Sequence, residues 1–175
     1  MRQITKMDGR RGEGSGWLTE RLELGGSPQM GLKSHTGFHH PPHATALLLI
    51  GAGSGLAGLR PHLLEAKRQN VPCWIIFGER HPEKDGALPA HLGGFDLHAL
   101  DTAYSRPDDG SSAYVQDIVR QRSVALKAFL GNSGAIMVCG GIDMGKAVEV
   151  ELQRALGAKW LKVASEDGRY RRDLY

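Results

Sequence analysis

The feature that most limits the fold is a set of short, uninterrupted apolar runs, each closed by a glycine. The runs and their closing glycines are 46–50 with Gly51, 73–77 with Gly78, and 135–139 with Gly140. A strand has this pattern when both of its faces are buried, as happens in a parallel sheet that is covered by helices. We therefore expect each run to form a buried strand.

Helical spacing of apolar residues appears between and after these runs. Leu56, Leu59, Leu63 and Leu64 recur at that spacing up to Asn70, and similar patterns cover residues 118–130 and 144–156. Residues 95–100 alternate in polarity, which is typical of a further strand. Strands that alternate with helices indicate βαβ units. The pattern predicts an α/β, doubly wound (Rossmann-like) parallel sheet of about five strands, with helices on both faces.

The first 43 residues differ from the remainder of the chain. They contain several glycines and only short apolar stretches between turn signals, so we expect a few strands and turns but no core. We therefore divide the chain into residues 1–43 and residues 44–175. A histidine cluster spans residues 35–43, but Pro41 and Pro42 interrupt it and no cysteine accompanies it, so we assign no metal site.

Composition excludes several classes of protein. The 175 residues are 41% hydrophobic and 23% charged, and no apolar run approaches the roughly 18–20 residues that a membrane span requires. The basic first residues are not followed by an apolar stretch, so we predict no secretion signal and a cytoplasmic location. Cys73 and Cys139 both lie in apolar runs, which does not suit a disulfide scaffold. A net charge of +3 is too small to predict nucleic-acid binding.

The predicted sheet also indicates where a ligand would bind. In open parallel sheets, sites form at the carboxyl ends of the strands, where the strand order reverses. The loops that begin at Gly51, Gly78, Tyr104 and Gly140 are therefore expected to converge on one groove.

A glycine-rich turn follows the first apolar run and opens a helix. Residues 53–58 satisfy the pattern G-x-G-x-x-G, and such a turn lets a diphosphate approach the backbone N–H groups and the positive end of the helix. The alternative is that the glycines only permit a tight turn. The loop does not end in the lysine of a P-loop, which argues against phosphate hydrolysis.

Two arginines follow neighbouring strands of the predicted sheet. Arg80 comes after the second strand and Arg106 after the third, and an arginine in this position can bind a phosphate monoester such as the 2′-phosphate of NADP. The alternative for either residue is a solvated surface side chain. Cys139 ends a buried strand, so its thiol is either at the floor of the groove or a small buried apolar group.

Six blocks of sequence, taken in order, resemble the C-terminal half of the diflavin-reductase branch of the ferredoxin–NADP reductase superfamily. That branch includes sulfite reductase flavoproteins and cytochrome P450 reductases. The blocks spread over about 125 residues. They are residues 50–57, 77–80, 104–106, 114–117, 137–140 and 168–175.

The resemblance implies roles for individual residues. Gly53, Ser54 and Gly55 would hold the pyrophosphate and nicotinamide side of NADP(H). Arg80, Ser105, Arg106, Tyr114 and Gln116 would form the pocket for the adenosine end and its 2′-phosphate. Catalytic positions would be Cys139 beside the nicotinamide, Asp173 as an organising carboxylate, and Tyr175 as the aromatic residue that covers the flavin.

The chain also departs from the family pattern. Ser112 stands where relatives usually carry a lysine, and residues 85–88 match a family segment poorly, so that the helix expected after them is reduced to residues 88–92. Near the N-terminus, Gly14, Ser15 and Gly16 resemble the last motif that holds the FAD pyrophosphate, and residues 1–43 would be a remnant of the FAD-binding β-barrel. The preceding flavin motif is not in the sequence, so we expect weak or no FAD retention.

The resemblance implies an NADPH-binding module of an FAD-dependent oxidoreductase. Its cofactors would be NADP(H) and FAD, and its partners a flavin-bearing domain or chain and a downstream electron acceptor. Two alternatives remain: a nucleotide-binding protein without redox turnover, and a subunit that docks on a separate flavoprotein. Apolar residues around Trp17 and Leu24 also allow a homo-oligomer.

Overall fold

The computed structural model describes residues 9–10, 12–29, 31, 37–82, 92 and 94–175. These belong to two compact units, Met1–Ser34 and His35–Tyr175. Among the described residues, no helix combines the length and apolar character that crossing a membrane would require.

The first unit contains one turn of α-helix, α1 (Glu13–Gly16), followed by a π-helical turn over Trp17–Arg21. We expected strands in this segment, but its described residues form none. A strand needs a neighbouring strand to satisfy its backbone hydrogen bonds, whereas a helical turn satisfies them locally. The short apolar stretches of this segment provide no such neighbour among the described residues.

The described residues of the second unit form an α/β layer structure with ten elements. In chain order these are β1 (Leu47–Ala52), α2 (Gly55–Arg68), β2 (Cys73–Glu79), β3 (Ala99–Tyr104), α3 (Val115–Gln121), α4 (Ser123–Leu130), β4 (Ala135–Gly140), α5 (Ile142–Leu156), α6 (Ala158–Glu166) and β5 (Tyr170–Leu174). The strands form one sheet in the order β3-β2-β1-β4-β5, and every neighbouring pair is parallel. The predicted parallel, five-stranded architecture is confirmed.

Both faces of this sheet are covered, which explains the uninterrupted apolar runs. Successive side chains of β1 point to opposite faces: Leu47 and Leu49 join the core beneath α2, while Leu48 and Ile50 join the core beneath α3–α6. Positions 47–51 of the strand are therefore all buried, so none of them can be polar without a partner. The central strands β1 and β4 are the most completely enclosed.

Strand β3 begins later than its alternating sequence pattern predicted. Its pairing with β2 runs from Trp74 opposite Ala99 to Glu79 opposite Tyr104, so the strand covers 99–104 and residues 95–98 of the alternating segment lie before it. Phe95 and Leu97 instead pack as loop residues against the core beneath α2. Their burial in that core produced the apolar periodicity that we interpreted as a strand.

The helix predicted over residues 118–130 is two helices that meet at Arg122. The backbone of this residue leaves helical geometry at ψ 7°, and its guanidinium binds the carboxylate of Asp101 at 2.8 Å. Strand β5 was not among the strands we located, because its residues Arg171, Arg172 and Asp173 are charged. Within the part of the chain that the structure describes it is an edge strand paired with β4 alone, and its Arg172 is exposed.

The second unit also includes residues that we grouped with the N-terminal segment. Phe38 packs with the core beneath α2, and Arg171 of β5 donates a hydrogen bond to the carbonyl oxygen of Gly37 at 3.1 Å. Residues 37–43 therefore form part of the second unit, which begins at His35.

Candidate functional site

The candidate site is the edge of the sheet where all five parallel strands end. The residues singled out from the sequence follow these ends in spatial order: Ser105 and Arg106 after β3, Arg80 after β2, Ser54 after β1, Cys139 in β4, and Asp173 and Tyr175 at β5. Neighbouring strands lie about 4.8 Å apart, so the edge extends about 10 Å to either side of β1. The order of the strands reverses between β1 and β4, which is the usual position of a ligand crevice.

The turn between β1 and α2 uses its glycines in two different ways. Gly53 has a φ of +56°, and the position where its Cβ would lie has no atom within 4 Å. Its N–H donates to the carbonyl oxygen of Gly78 at 3.1 Å. A Cβ on Gly55, in contrast, would overlap the carbonyl of Cys139. Gly55 therefore permits tight packing within the protein, while Gly53 leaves open space at the surface.

Ser54 meets the last residue of the chain. Its hydroxyl shares a hydrogen bond of 2.6 Å with the phenol of Tyr175, and the Tyr175 N–H donates to the carbonyl oxygen of Gly140 at 3.1 Å. These two bonds bring the loops after β1, β4 and β5 together at one end of the edge.

The other end of the edge is organised by β2, β3 and the segment before α3. Ser105 donates its N–H to the carbonyl of Glu79 at 3.0 Å, and Arg106 donates to that of Arg80 at 2.8 Å. The hydroxyl of Ser112 in turn donates to the carbonyl oxygen of Ser105 at 3.1 Å. The side chain of Arg106 is exposed to solvent.

Tyr114 precedes α3 and is held at its start by the helix cap. Its N–H donates to the Asp117 carboxylate at 3.0 Å, while the Asp117 N–H donates to the Tyr114 carbonyl. We predicted no separate role for Asp117, although a carboxylate three residues after the N-cap is a recognised capping signal. Gln116 lies half-buried in the first turn of the same helix.

Cys139 is buried against α2 and is only 2% exposed. A Cβ added to Gly58 would lie 2.6 Å from its sulfur, so the absence of a side chain at Gly58 makes room for the thiol. Burial, together with the nearby charge of Asp173, raises the thiol pKa to about 11. Asp173 is its partner across the β4–β5 pairing. The thiol is therefore protonated and neutral near pH 7, and its role toward a nicotinamide stays a prediction.

Two further sets of predicted positions belong to the first unit or lie outside the described residues. Gly14, Ser15 and Gly16 belong to α1 in the first unit, where the Gly16 N–H donates to the Gly12 carbonyl at 2.8 Å. Their role toward FAD stays a prediction. The poorly matching segment 85–88 and most of the shortened helix at 88–92 lie outside the described residues, apart from Leu92, which is buried beneath α2.

Comparison with known proteins gives a consistent set of relatives, although no family model matches the chain. The chain aligns over 95% of its length with proteins named sulfite reductase [NADPH] flavoprotein alpha-component. It is 31% identical to the one from Mannheimia succiniciproducens and 32% identical to one from Neisseria meningitidis serogroup C. It spans only 31% and 30% of the length of these relatives. The resemblance predicted from the sequence blocks is confirmed, and this chain is a relative of the sulfite reductase flavoprotein alpha-components.

Proposed function

We propose that the unit His35–Tyr175 binds NADP(H) along the carboxyl edge of its sheet and presents it for hydride transfer to a flavin. The observation that supports this proposal most directly is that two sets of polar residues lie on the same edge of the sheet. Ser105 and Arg106 lie at one end, and the hydrogen-bonded pair Ser54 and Tyr175 lies at the other. The names of the relatives, which contain both NADPH and flavoprotein, support the same cofactors.

The residues at this edge fit a phosphorylated dinucleotide. The open left-handed position at Gly53 leaves room for a diphosphate against the backbone. In the first turn of α2, Leu56 and Ala57 donate their N–H groups to the carbonyls of Gly53 and Ser54 at 3.4 and 3.1 Å, and this end of the helix adds a positive dipole. About 10 Å away along the edge, the Arg106 guanidinium and the Ser105 hydroxyl suit a 2′-phosphate. Tyr114 and Gln116 would contact the adenosine.

The chain's own residues would orient the cofactor and set the polarity around it. When bound, NADPH supplies a hydride from its nicotinamide ring. The Asp173 carboxylate would stabilise the positive charge that develops on that ring as the hydride leaves. The neutral thiol of Cys139 would contribute contact without charge. Ser54 and Tyr175 would position the ring end, since their hydroxyls meet there.

In this proposal the flavin is carried by a partner domain or chain. The role of Gly14, Ser15 and Gly16 toward the FAD pyrophosphate stays a prediction; the Gly16 N–H donates to the Gly12 carbonyl at 2.8 Å within α1. A further acceptor protein would receive the electrons from that flavin.

Calorimetric titration of the full chain with NADPH, NADH and 2′,5′-ADP tests the nucleotide site. We expect NADPH and 2′,5′-ADP to bind and NADH to bind more weakly. A second assay adds FAD, NADPH and an artificial electron acceptor. Steady acceptor reduction would support redox turnover by the chain itself, while binding without reduction would favour a nucleotide-binding module that depends on a flavin-bearing partner. Absence of binding by all three nucleotides would overturn the proposal.

A further inference from the structure

Residues 105–112 form a closed loop at the end of the carboxyl edge where β3 stops. We call it the 105–112 loop. The Ala113 N–H donates to the carbonyl oxygen of Tyr104 at 2.9 Å, which joins the residue after the loop to the residue before it. One residue further into the loop, the Ser112 hydroxyl donates to the carbonyl oxygen of Ser105 at 3.1 Å. These two hydrogen bonds close the base of the loop.

The tip of the 105–112 loop is held by hydrogen bonds of its own. The Gly110 N–H donates to the carbonyl oxygen of Pro107 at 3.2 Å, and Gly110 has a φ of +75°, which favours glycine. The Asp109 carboxylate accepts a hydrogen bond from the N–H of Ser111 at 2.9 Å and another from its hydroxyl at 2.6 Å. The turn at the tip is therefore fixed from within the loop.

The first arm of the loop is also attached to the neighbouring strand end. The N–H groups of Ser105 and Arg106 donate to the carbonyl oxygens of Glu79 and Arg80, as described above. The Arg106 side chain is exposed. The main chain of Arg106 is thus held by the end of β2 and by the closed loop, while its guanidinium stays accessible to a ligand.

A loop that is ordered before its ligand arrives loses less conformational entropy when the ligand binds. A guanidinium also makes two parallel hydrogen bonds to a phosphate only when it is held in a defined geometry. Hydrogen bonds that fix the base and the tip of the 105–112 loop should therefore affect the affinity for a phosphate monoester.

We propose that the 105–112 loop is preformed for the 2′-phosphate of NADPH, and that Ser112 and Asp109 are positioning residues within it. By holding Ser105 and Arg106 in place, they would set the preference for NADPH over NADH. This inference rests on the proposed function, because it concerns the same nucleotide site.

Asp109 has an alternative role, which is electrostatic. A carboxylate in a loop that receives a phosphate would oppose the ligand's negative charge. The two hydrogen bonds that Asp109 accepts from Ser111 favour the positioning role. Asp109→Asn separates the two roles, because the amide keeps an accepting oxygen but carries no charge.

The first test is calorimetric titration of the full chain and its variants with NADPH and NADH. Ser112→Ala and Asp109→Ala should each weaken NADPH binding about fivefold, which is the size of effect that the loss of one neutral hydrogen bond produces. NADH affinity should change by less than about twofold, because NADH has no 2′-phosphate. Ser112→Thr keeps the hydroxyl and Asp109→Asn keeps the acceptor, so both should bind NADPH nearly as well as the natural chain does.

A double variant tests whether Ser112 acts through Arg106. In an Arg106→Ala background, Ser112→Ala should weaken NADPH binding much less than it does in the natural chain, because the guanidinium that it helps to position is gone. Equal effects of Ser112→Ala in the two backgrounds would overturn the positioning role.

The second test uses the chain without nucleotide. Hydrogen exchange followed by NMR should show slow exchange of the N–H groups of Ser105, Arg106 and Ala113 in the natural chain, and faster exchange in Ser112→Ala. A loop that forms only around the ligand would instead show rapid exchange of these groups until NADPH is added, and that result would overturn the proposal.

Two matched controls lie away from the loop. Ser165→Ala replaces an exposed serine of α6, and Asp96→Ala replaces an exposed aspartate before β3. Both should leave the ratio of NADPH to NADH affinity unchanged. The proposal is overturned if Ser112→Ala and Asp109→Ala weaken NADPH and NADH equally, or if Asp109→Asn binds NADPH more tightly than the natural chain does.

The outcomes also distinguish this inference from the proposed function. If the natural chain binds neither nucleotide, both are overturned. If it binds NADPH and both alanine variants retain its preference over NADH, the proposed function stands and the positioning role of Ser112 and Asp109 is overturned.

Discussion

The hydroxyl of Ser54 and the phenol of Tyr175 share a hydrogen bond of 2.6 Å, although 121 positions separate them along the chain. Ser54 follows β1 in the middle of the sheet, and Tyr175 follows the edge strand β5. Strand β4 lies between them, and its Gly140 carbonyl accepts the Tyr175 N–H. Tyr175 is therefore hydrogen-bonded to the turn that we propose for the diphosphate.

We expect Ser54 and Tyr175 to be energetically coupled. Ser54→Ala and Tyr175→Phe each remove the shared hydrogen bond, so the double variant should lose less stability than the sum of the single variants. The coupling should be about 0.5–1.5 kcal/mol, the usual net contribution of one hydrogen bond, and nearer the lower end because the pair is exposed. Urea unfolding of the four proteins measures this coupling. Strictly additive losses would show that the bond does not persist in solution.

Arg106→Ala should weaken binding of NADPH and 2′,5′-ADP by about 1–3 kcal/mol, because a charge-assisted contact to the 2′-phosphate is lost. Binding of NADH, which lacks that phosphate, should hardly change. Arg68→Ala is the matched control, since Arg68 is an exposed arginine at the far end of α2, paired with Glu65. Calorimetry measures the affinity of each variant for NADPH, NADH and 2′,5′-ADP. Equal loss of NADPH and NADH affinity would contradict the role assigned to Arg106.

Gly55→Ala should destabilise the fold by about 1–3 kcal/mol, because the new methyl group would overlap the main-chain carbonyl of Cys139 between β4 and α2. Main-chain atoms of a central strand cannot move aside without disturbing the sheet. Gly141→Ala is the control: its φ is −64°, and a Cβ there would have no atom within 4 Å. We expect the free energy of unfolding of the control to lie within about 0.5 kcal/mol of that of the natural chain, as measured by thermal or urea unfolding.

His62 makes the stability of the fold sensitive to acid. The ring is 5% exposed and packs edge-on against Phe38 and over His40. Burial, and to a smaller extent the charges of His40, His39 and Arg171, lowers the His62 pKa from 6.5 to about 4. The unfolded chain therefore binds a proton at a higher pH than the folded chain does.

The free energy of unfolding should accordingly be greatest above about pH 6.5 and should fall as the pH drops toward 4. The loss due to His62 is on the order of 3 kcal/mol. Urea unfolding of the natural chain and of His62→Gln, measured from neutral to acid pH, checks this. The variant should be less stable at neutral pH but should show a shallower decline. Replacement of the exposed His98 by glutamine serves as a control, and a decline in His62→Gln as steep as in the natural chain would contradict the assignment.

The Cys139 thiol should resist alkylation near neutral pH, because burial and the Asp173 carboxylate raise its pKa to about 11. A Cys73→Ser background leaves Cys139 as the only thiol in the chain. Asp173→Asn removes a negative charge that opposes the thiolate, so the pKa should fall and the reaction with iodoacetamide should begin at a lower pH. The rate of alkylation is measured as a function of pH for the Cys73→Ser protein with and without Asp173→Asn. An identical profile in the two would mean that Asp173 does not influence the thiol.

The fold class and the edge that carries the candidate site could both be predicted from the sequence. Strands buried on both faces must be apolar at every position, so 46–50 and 135–139 were recognisable without any knowledge of their neighbours. The carboxyl ends of parallel strands all lie at one edge of the sheet. The turns that follow these strands could therefore be assigned to one site from the sequence. Edge strand β5 shows the limit of this reasoning, because its charged residues carry no signal of burial.

Other properties depended on contacts between residues that are distant in the chain. The start of β3 is set by its pairing with β2, and the earlier part of the alternation comes from the loop residues Phe95 and Leu97, which pack beneath α2. The burial of the Cys139 thiol depends on Gly58, which only helix packing brings beside it. Local composition determines which segments can be buried and where the chain turns. Only the packed sheet decides which side chains meet, because hydrogen-bond partners and the shielding of charge from water come from elements far apart in sequence.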